Sequence, residues 1–165
     1  MRDPVGRPKN IVVSADVPLE ESSRGKKFQV LRRRLGLAAG GNKLGCSLYE
    51  LPPGKAAFPL HVHLSQEEAV YVLEGEGVLR LGDGEHPIRS GDYMTFPAGG
   101  EPHQILNRSA APLRFLAVAA LSFPEVVQYP ESRKVGIYGG PLQGDRRDLG
   151  VFRLSSAVDY WEGEE

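Results

Sequence analysis

The chain has one cysteine, Cys46, one tryptophan and two methionines among its 165 residues. A lone cysteine cannot form an internal disulfide, so the fold rests on no disulfide framework and suits a reducing compartment. Charge of one sign is also lacking: 20 Lys and Arg stand against 21 Asp and Glu, a net of −1. The surface as a whole therefore holds no attraction for nucleic acid or an anionic membrane. No apolar run approaches the roughly 18 residues of a membrane-spanning helix. The start, Met1-Arg2-Asp3-Pro4, has no apolar core of signal-peptide length behind it. The expectation is a soluble, cytoplasmic protein with no nucleic-acid or membrane partner. Internal repeats and low-complexity tracts are absent as well.

Glycine and proline are abundant instead. The 20 Gly and 13 Pro make up a fifth of the chain, against roughly 12% in average proteins. Such dense punctuation excludes a helical bundle and argues for short strands joined by tight turns. At 41% hydrophobic and 25% charged residues, the composition is that of a globular domain. A chain of this length is one domain, able to bury roughly 70% of its unfolded surface.

Residues 1–10 read as a loose arm and Ile11–Val17 as a short strand. Arg24–Arg34 is locally basic, with Lys26, Lys27, Arg32, Arg33 and Arg34. A strand edge guarded by positive charge produces this pattern, as does a nucleic-acid patch, and no interleaved aromatic residues support base stacking. From Leu44 onward, strand follows strand: Leu44–Leu51, an extended stretch from Pro52-Pro53-Gly54 through His63, Ala69–Leu73, Val78–Leu81, His86–Arg89, Tyr93–Phe96, His103–Asn107 and Leu113–Leu121. Turn signals about every ten residues predict an all-β sandwich or barrel. Ala69–Leu73 is apolar on both faces, so its outer face needs cover from the flanking segments or from a second subunit. After Phe123 the sequence reads as loop-rich, with Ser155–Trp161 as a short capped helix.

Three of the four histidines fall where a metal site can use them. In an extended segment His61 and His63 share one face, roughly 7 Å apart. Glu68 opens the next apolar strand and His103 a later one, and a curled sheet is needed for these segments to converge. His-x-His alone is a weak signal, since many surface strands carry it. Two longer patterns are more specific. One runs Gly54-x6-His61-x-His63-x4-Glu68-x6-Gly75, and the other Gly91-x5-Pro97-x-Gly99-x3-His103-x3-Asn107.

In these two patterns the chain resembles the cupins, small double-stranded β-helix barrels. Two one-residue departures occur, an extra residue before His61 and another between Gly99 and His103, both in segments that act as loops. The resemblance implies an all-β, double-stranded β-helix (cupin or jelly-roll) barrel over residues 44–121. Residues 1–43 form an N-terminal arm with covering strands, and residues 122–165 a C-terminal extension with loops and a short helix. It also implies that His61, His63, Glu68 and His103 hold one divalent transition metal (Fe, Mn, Ni, Zn or Cu), with the spacing back from Gly75 selecting Glu68 over Glu67. Three neutral imidazoles and one carboxylate leave a local charge of +1, and a six-coordinate ion keeps two open positions.

The family spans dioxygenases, decarboxylases, isomerases, storage proteins and regulators, so the fold does not name the reaction. The expected function is a metal-binding cupin acting on a small anionic metabolite, as a homodimer. The alternatives are a sugar-phosphate isomerase-like or dioxygenase-like enzyme and a non-catalytic ligand- or metal-sensing cupin. No acid, base or nucleophile beyond the ligands is identified. His86 reads as solvent-facing, Cys46 as core, and Phe58, Phe96 and Phe115 as barrel filling. Met94 and Phe96 point inward with His103, and Tyr93 and Gln104 away from it. Asn107 ties a turn together. Arg80 and Arg114 face outward, so no arginine is expected at the site.

Overall fold

Along the apolar segments side chains alternate between a barrel interior and an outer face, and this alternation sets the strands. The computed structural model describes residues 6, 8–140 and 148–164. Much of the expected N-terminal arm, together with Pro141 and Gly144, lies outside the described residues. The strands are β1 (Glu20–Arg24), β2 (Phe28–Arg33), β3 (Leu44–Leu51), β4 (Val62–His63), β5 (Glu68–Glu74), β6 (Glu76–Leu81) and β7 (Gly84–Arg89). They continue with β8 (Tyr93–Phe96), β9 (His103–Leu106), β10 (Leu113–Ala120), β11 (Glu125–Tyr129), β12 (Lys134–Tyr138) and β13 (Asp148–Arg153). One helical turn, α1 (Leu35–Ala38), leads into β3.

A six-stranded sheet runs β1-β2-β3-β10-β5-β8, a four-stranded one β13-β12-β11-β4, and a three-stranded one β7-β6-β9. All the strand pairs are antiparallel. Between the sheets lies one core, built from Val30, Leu51, Val70, Val72, Leu79, Ile88, Phe96, Ile105, Leu113 and Phe115. Leu51, Val72 and Leu113 are fully buried, each contributing about 1.5–3 kcal/mol of apolar burial. The architecture is the expected all-β double-stranded β-helix.

Two motif residues have clear structural roles. Gly75 sits at the corner between β5 and β6 with φ +85, and a Cβ there would lie 2.5 Å from the Pro112 carbonyl oxygen. Only glycine combines that backbone conformation with that approach. Asn107, 1% exposed, donates from Nδ2 to the carbonyls of Leu51 and Ala111, both at 2.8 Å. Its Oδ1 accepts from the Ser109 N–H and hydroxyl. This is the turn-tying role expected of it.

Several local expectations are corrected. Ile11–Val17 forms no strand; Ser14–Asp16 is a 3-10 turn, and Arg33 Nη1 donates to the carbonyls of Ala15 and Val17. A side chain, rather than a neighbouring strand, thus satisfies that backbone. The segment after Phe123 carries three strands, β11 to β13, in place of loops. Ser155–Trp161 is not a helix but a 3-10 turn at Leu154–Ser156 followed by turns. Cys46 is half-buried rather than core. Of the basic run, Arg24 ends the edge strand β1, Lys26 and Lys27 lie in the turn after it, and Arg32 and Arg33 lie on β2, which is flanked by β1 and β3 and so is not an edge.

On β5, Val70 and Val72 are buried while Tyr71 and Leu73 are 43% and 39% exposed. Register places Leu48, Leu116, Tyr71 and Tyr93 in one row across β3, β10, β5 and β8. Among the described residues, no segment covers the Tyr71–Tyr93 end of that row, and Tyr93 is 67% exposed.

Candidate metal centre

Backbone pairing brings the two motifs together. His61 and His103 face each other in an antiparallel bridge. The His61 N–H donates to the His103 carbonyl at 3.2 Å, and the His103 N–H to the His61 carbonyl at 2.8 Å. Their rings lie 4.6 Å apart. His63 follows two residues later with its ring 5.1 Å from that of His61, so the pair shares one face as the alternation requires. The Gly99 N–H donates to the His63 carbonyl at 2.7 Å, which ties the second motif's loop to β4.

Glu68 opens β5 on the same side as Val70 and Val72 and points into the barrel, whereas Glu67 is exposed. Its Oε2 lies 3.3 Å from Nε2 of both His63 and His103. One donor atom from each of His61, His63 and Glu68 falls within 4.8 Å of the others. His103 adjoins this trio through Glu68 and the bridge to His61. Ligands about 2.1 Å from a shared ion stand about 3.0 Å apart at right angles and about 3.4 Å apart in a tetrahedron. The observed 3.3 Å separations fit a common cation.

The outer nitrogens orient the rings. His61 Nδ1–H donates to the Pro59 carbonyl at 2.8 Å. His63 Nδ1–H donates to Glu125 Oε1 at 3.3 Å. Both bonds leave the Nε2 lone pair for the centre. His103 Nδ1 is buried without a hydrogen bond; its ring is held instead by parallel stacking on Phe96, with centroids 3.9 Å apart.

Electrostatics puts His61 and Glu68 in their ligating forms. Burial, reinforced by His103 and His63, pulls the His61 imidazole down to about 4. Burial pulls His63 down too, but the Glu68 and Glu125 carboxylates outweigh it and raise that imidazole above its usual value. Glu68 is pushed up by burial, yet the His103 and His63 imidazoles more than compensate and hold it far below the usual carboxylate range. An ionised carboxylate beside a neutral His61 is the state that binds a metal ion.

The cluster lines a cavity of about 430 Å³ whose walls include Tyr49, Phe58, Phe115 and Tyr129. Three further charged residues line it that the sequence reading did not place there. Glu125, 3% exposed, accepts the Leu64 N–H at 3.2 Å as well as the His63 bond, and its Oε2 has no hydrogen-bond partner. It shares a strand face with buried Val127, the one sign of its inward direction in the sequence. Arg32 and Arg34 also line the cavity, correcting the expectation that no arginine faces it. Arg114 does face outward, paired with Glu74 and Glu50. Arg80 bonds Gln104 and Glu131, and His86 is exposed.

Comparison with known proteins gives a consistent picture. The profile of the family described as Cupin domain matches residues 47–119. The chain is 36% identical over 115 residues to an oxalate-binding protein of Thermotoga maritima, covering 67% of this chain and 93% of that protein. It is 38% identical over 95 residues to quercetin 2,3-dioxygenase of Bacillus subtilis, where it spans 55% of this chain but only 28% of that enzyme. A solved structure of a sugar phosphate isomerase from Silicibacter pomeroyi superposes with a TM-score of 0.68 at 32% identity, covering 81% of this chain and 82% of that one. A structure from Acidithiobacillus ferrooxidans superposes with a TM-score of 0.77 at 25% identity, covering 92% of this chain and 96% of that one.

Proposed function

Because the chain belongs to the cupin family, we propose that its barrel holds one divalent transition metal on His61, His63, Glu68 and His103 and uses it on a small anionic metabolite. The observation that carries this reading is the approach of two imidazole nitrogens to one carboxylate oxygen at 3.3 Å, with His61 alongside. A bound Fe, Mn, Ni, Zn or Cu ion would supply Lewis-acid character, and open coordination positions would draw an anion to it. The chain's own residues orient and enclose. Pro59 and Glu125 fix the ring orientations of His61 and His63, Phe96 holds His103, and Tyr49, Phe58 and Phe115 exclude water from the cavity wall. The sugar phosphate isomerase and the dioxygenase among the similar proteins support an enzymatic use of the site.

A second reading, binding without turnover, is favoured by the 36% relative whose name is oxalate-binding protein. The two readings differ in turnover. Purified, untagged protein analysed for metal should carry close to one transition-metal ion per chain, and His103→Ala should lose most of it. Unchanged metal content in that variant sinks the four-ligand centre. With metal bound, consumption of sugar phosphates or of oxygen supports the enzyme, and binding of oxalate without turnover supports the second reading.

The reading extends to the assembly. The row Leu48, Leu116, Tyr71 and Tyr93 gives an apolar sheet face that a second copy would cover, so the chain works as a homodimer. Light scattering that returns a monomer overturns this. No helix among the described residues is long and apolar enough to cross a membrane, and the cytoplasm is the compartment proposed.

A further inference from the structure

We propose that Arg32 and Arg34 form the recognition site for the anionic group, a phosphate or a carboxylate, of the molecule that enters the metal cavity. This rests on the reading of the cavity as a substrate site and names the charged group of the molecule it takes. Both side chains line the cavity that holds His61, His63, Glu68 and His103, and they are only 24% and 20% exposed. Arg32 pairs in register with Tyr49, whose ring stacks on Phe115 at 5.2 Å inside the barrel. Tyr49 itself lines the same cavity.

A carboxylate beside the cavity already engages both guanidinium groups. Glu20 Oε2 accepts from Arg32 Nη2 at 2.7 Å and from Arg34 Nε at 3.0 Å. One anion shared by two guanidinium groups leaves a net positive charge, and the two Nη groups of Arg34 make no hydrogen bond among the described residues. Planar guanidinium forks suit oxyanions through paired N–H bonds. Glu20 is 44% exposed on β1, a strand at the edge of its sheet, and its side chain bonds nothing else among the described residues. An incoming anion can therefore join this carboxylate or replace it. The metal draws one end of the molecule and the arginine pair takes its charged group.

Calorimetric titration of the full chain with inorganic phosphate, and separately with succinate, tests this while metal content is measured in parallel. Arg34→Gln keeps the Arg32–Glu20 pair and the fold, and should weaken binding of the preferred anion at least tenfold with metal content unchanged. Glu20→Gln removes the competing charge and should tighten it severalfold. Preference for phosphate identifies a phosphorylated molecule, and preference for succinate a carboxylate. Affinities within twofold of wild type in both variants, or no binding of either anion to folded wild-type protein, overturn the proposal. Anion binding that responds to Arg34 in a protein lacking bound metal would retain the subsite and discard the metal centre; the converse would do the opposite.

Discussion

Replacing Glu125 with Gln should weaken metal binding while leaving the fold intact. In the wild type Oε1 accepts two bonds, from His63 Nδ1 at 3.3 Å and from the Leu64 N–H at 3.2 Å. The Leu64 N–H is also satisfied by the Val126 carbonyl at 2.9 Å, so the backbone keeps a partner whatever stands at position 125. The loss therefore falls on His63. A hydrogen bond to a charged acceptor contributes about 1.5–3 kcal/mol and a neutral one about 0.5–1.5 kcal/mol. Exchanging one for the other costs about 1–1.5 kcal/mol, a fall in metal affinity of about 5- to 12-fold. Glu125→Ala, which removes the acceptor, should reach the 10- to 100-fold range typical of lost orienting partners. Oε2 makes no bond in the wild type, so the Gln amide that replaces it is a buried donor without an acceptor, and Glu125→Gln should cost about 1–3 kcal/mol of folding stability. Competition of Zn²⁺ against a chromophoric chelator gives the affinity, and urea unfolding of the metal-free protein gives the stability. Affinity within twofold of wild type in a folded Glu125→Gln protein would show that this carboxylate does not orient His63.

Two further outcomes follow from the geometry. Gly75→Ala forces a residue with φ +85 to place its Cβ 2.5 Å from Pro112 O, whereas Gly91→Ala, at φ +95, meets nothing within 4 Å; thermal melts should show a loss of about 1 kcal/mol for Gly91→Ala and about 3 kcal/mol or more for Gly75→Ala. Equal losses would mean that the Pro112 contact relaxes freely. Metal-free protein should lose stability as the pH falls from about 6.5 to about 4.5, because His61 titrates near 4 when folded but near 6.5 when unfolded, so the unfolded chain binds the extra proton across that window. Glu68, held below its usual range, keeps its full contribution down to about pH 4.5. The raised His63 is likewise at full contribution below about 6.5. The slope therefore belongs to His61, and urea midpoints at pH 6.5 and 4.5 measure it; His61→Asn should flatten it.

The parts of the site that local spacing controls were legible in the sequence. Two-residue periodicity puts His61 and His63 on one face, and the resemblance to the cupin motif, counted back from Gly75, selects inward Glu68 over exposed Glu67. Each of these depends on at most one turn between neighbours. The residues that escaped are set by pairing across long stretches of chain. Glu125 reaches His63 across 62 positions, because β11 adds to β4 with Val127 opposite His63. Nothing near position 125 announces that partner. Arg32 and Arg34 alternate with Leu31 and Arg33, so a basic run on a strand fits either face, and only the register of β2 on β3 turns them inward. Ile11–Val17 has strand-like residues, but there the carbonyls of Ala15 and Val17 are taken up by Arg33 before any strand can use them. At the other end, β11 and β12 were hidden by Pro124 and Pro130, which flank β11, and by Gly136, which lies inside β12.

The addition of β11 to β4 also bears on how the chain is made. A ribosome completes His61, His63, Glu68 and His103 before it has produced Glu125 or the strand that flanks His63. The nascent chain thus presents the histidines and Glu68 in the order of synthesis, with the orienting carboxylate arriving last. Cation capture during translation would meet an unaligned His63, and the finished pocket forms only when the segment beyond Phe123 has emerged and docked. Expression of a fragment ending at the second motif should accordingly yield the histidines and Glu68 without the strand that flanks His63.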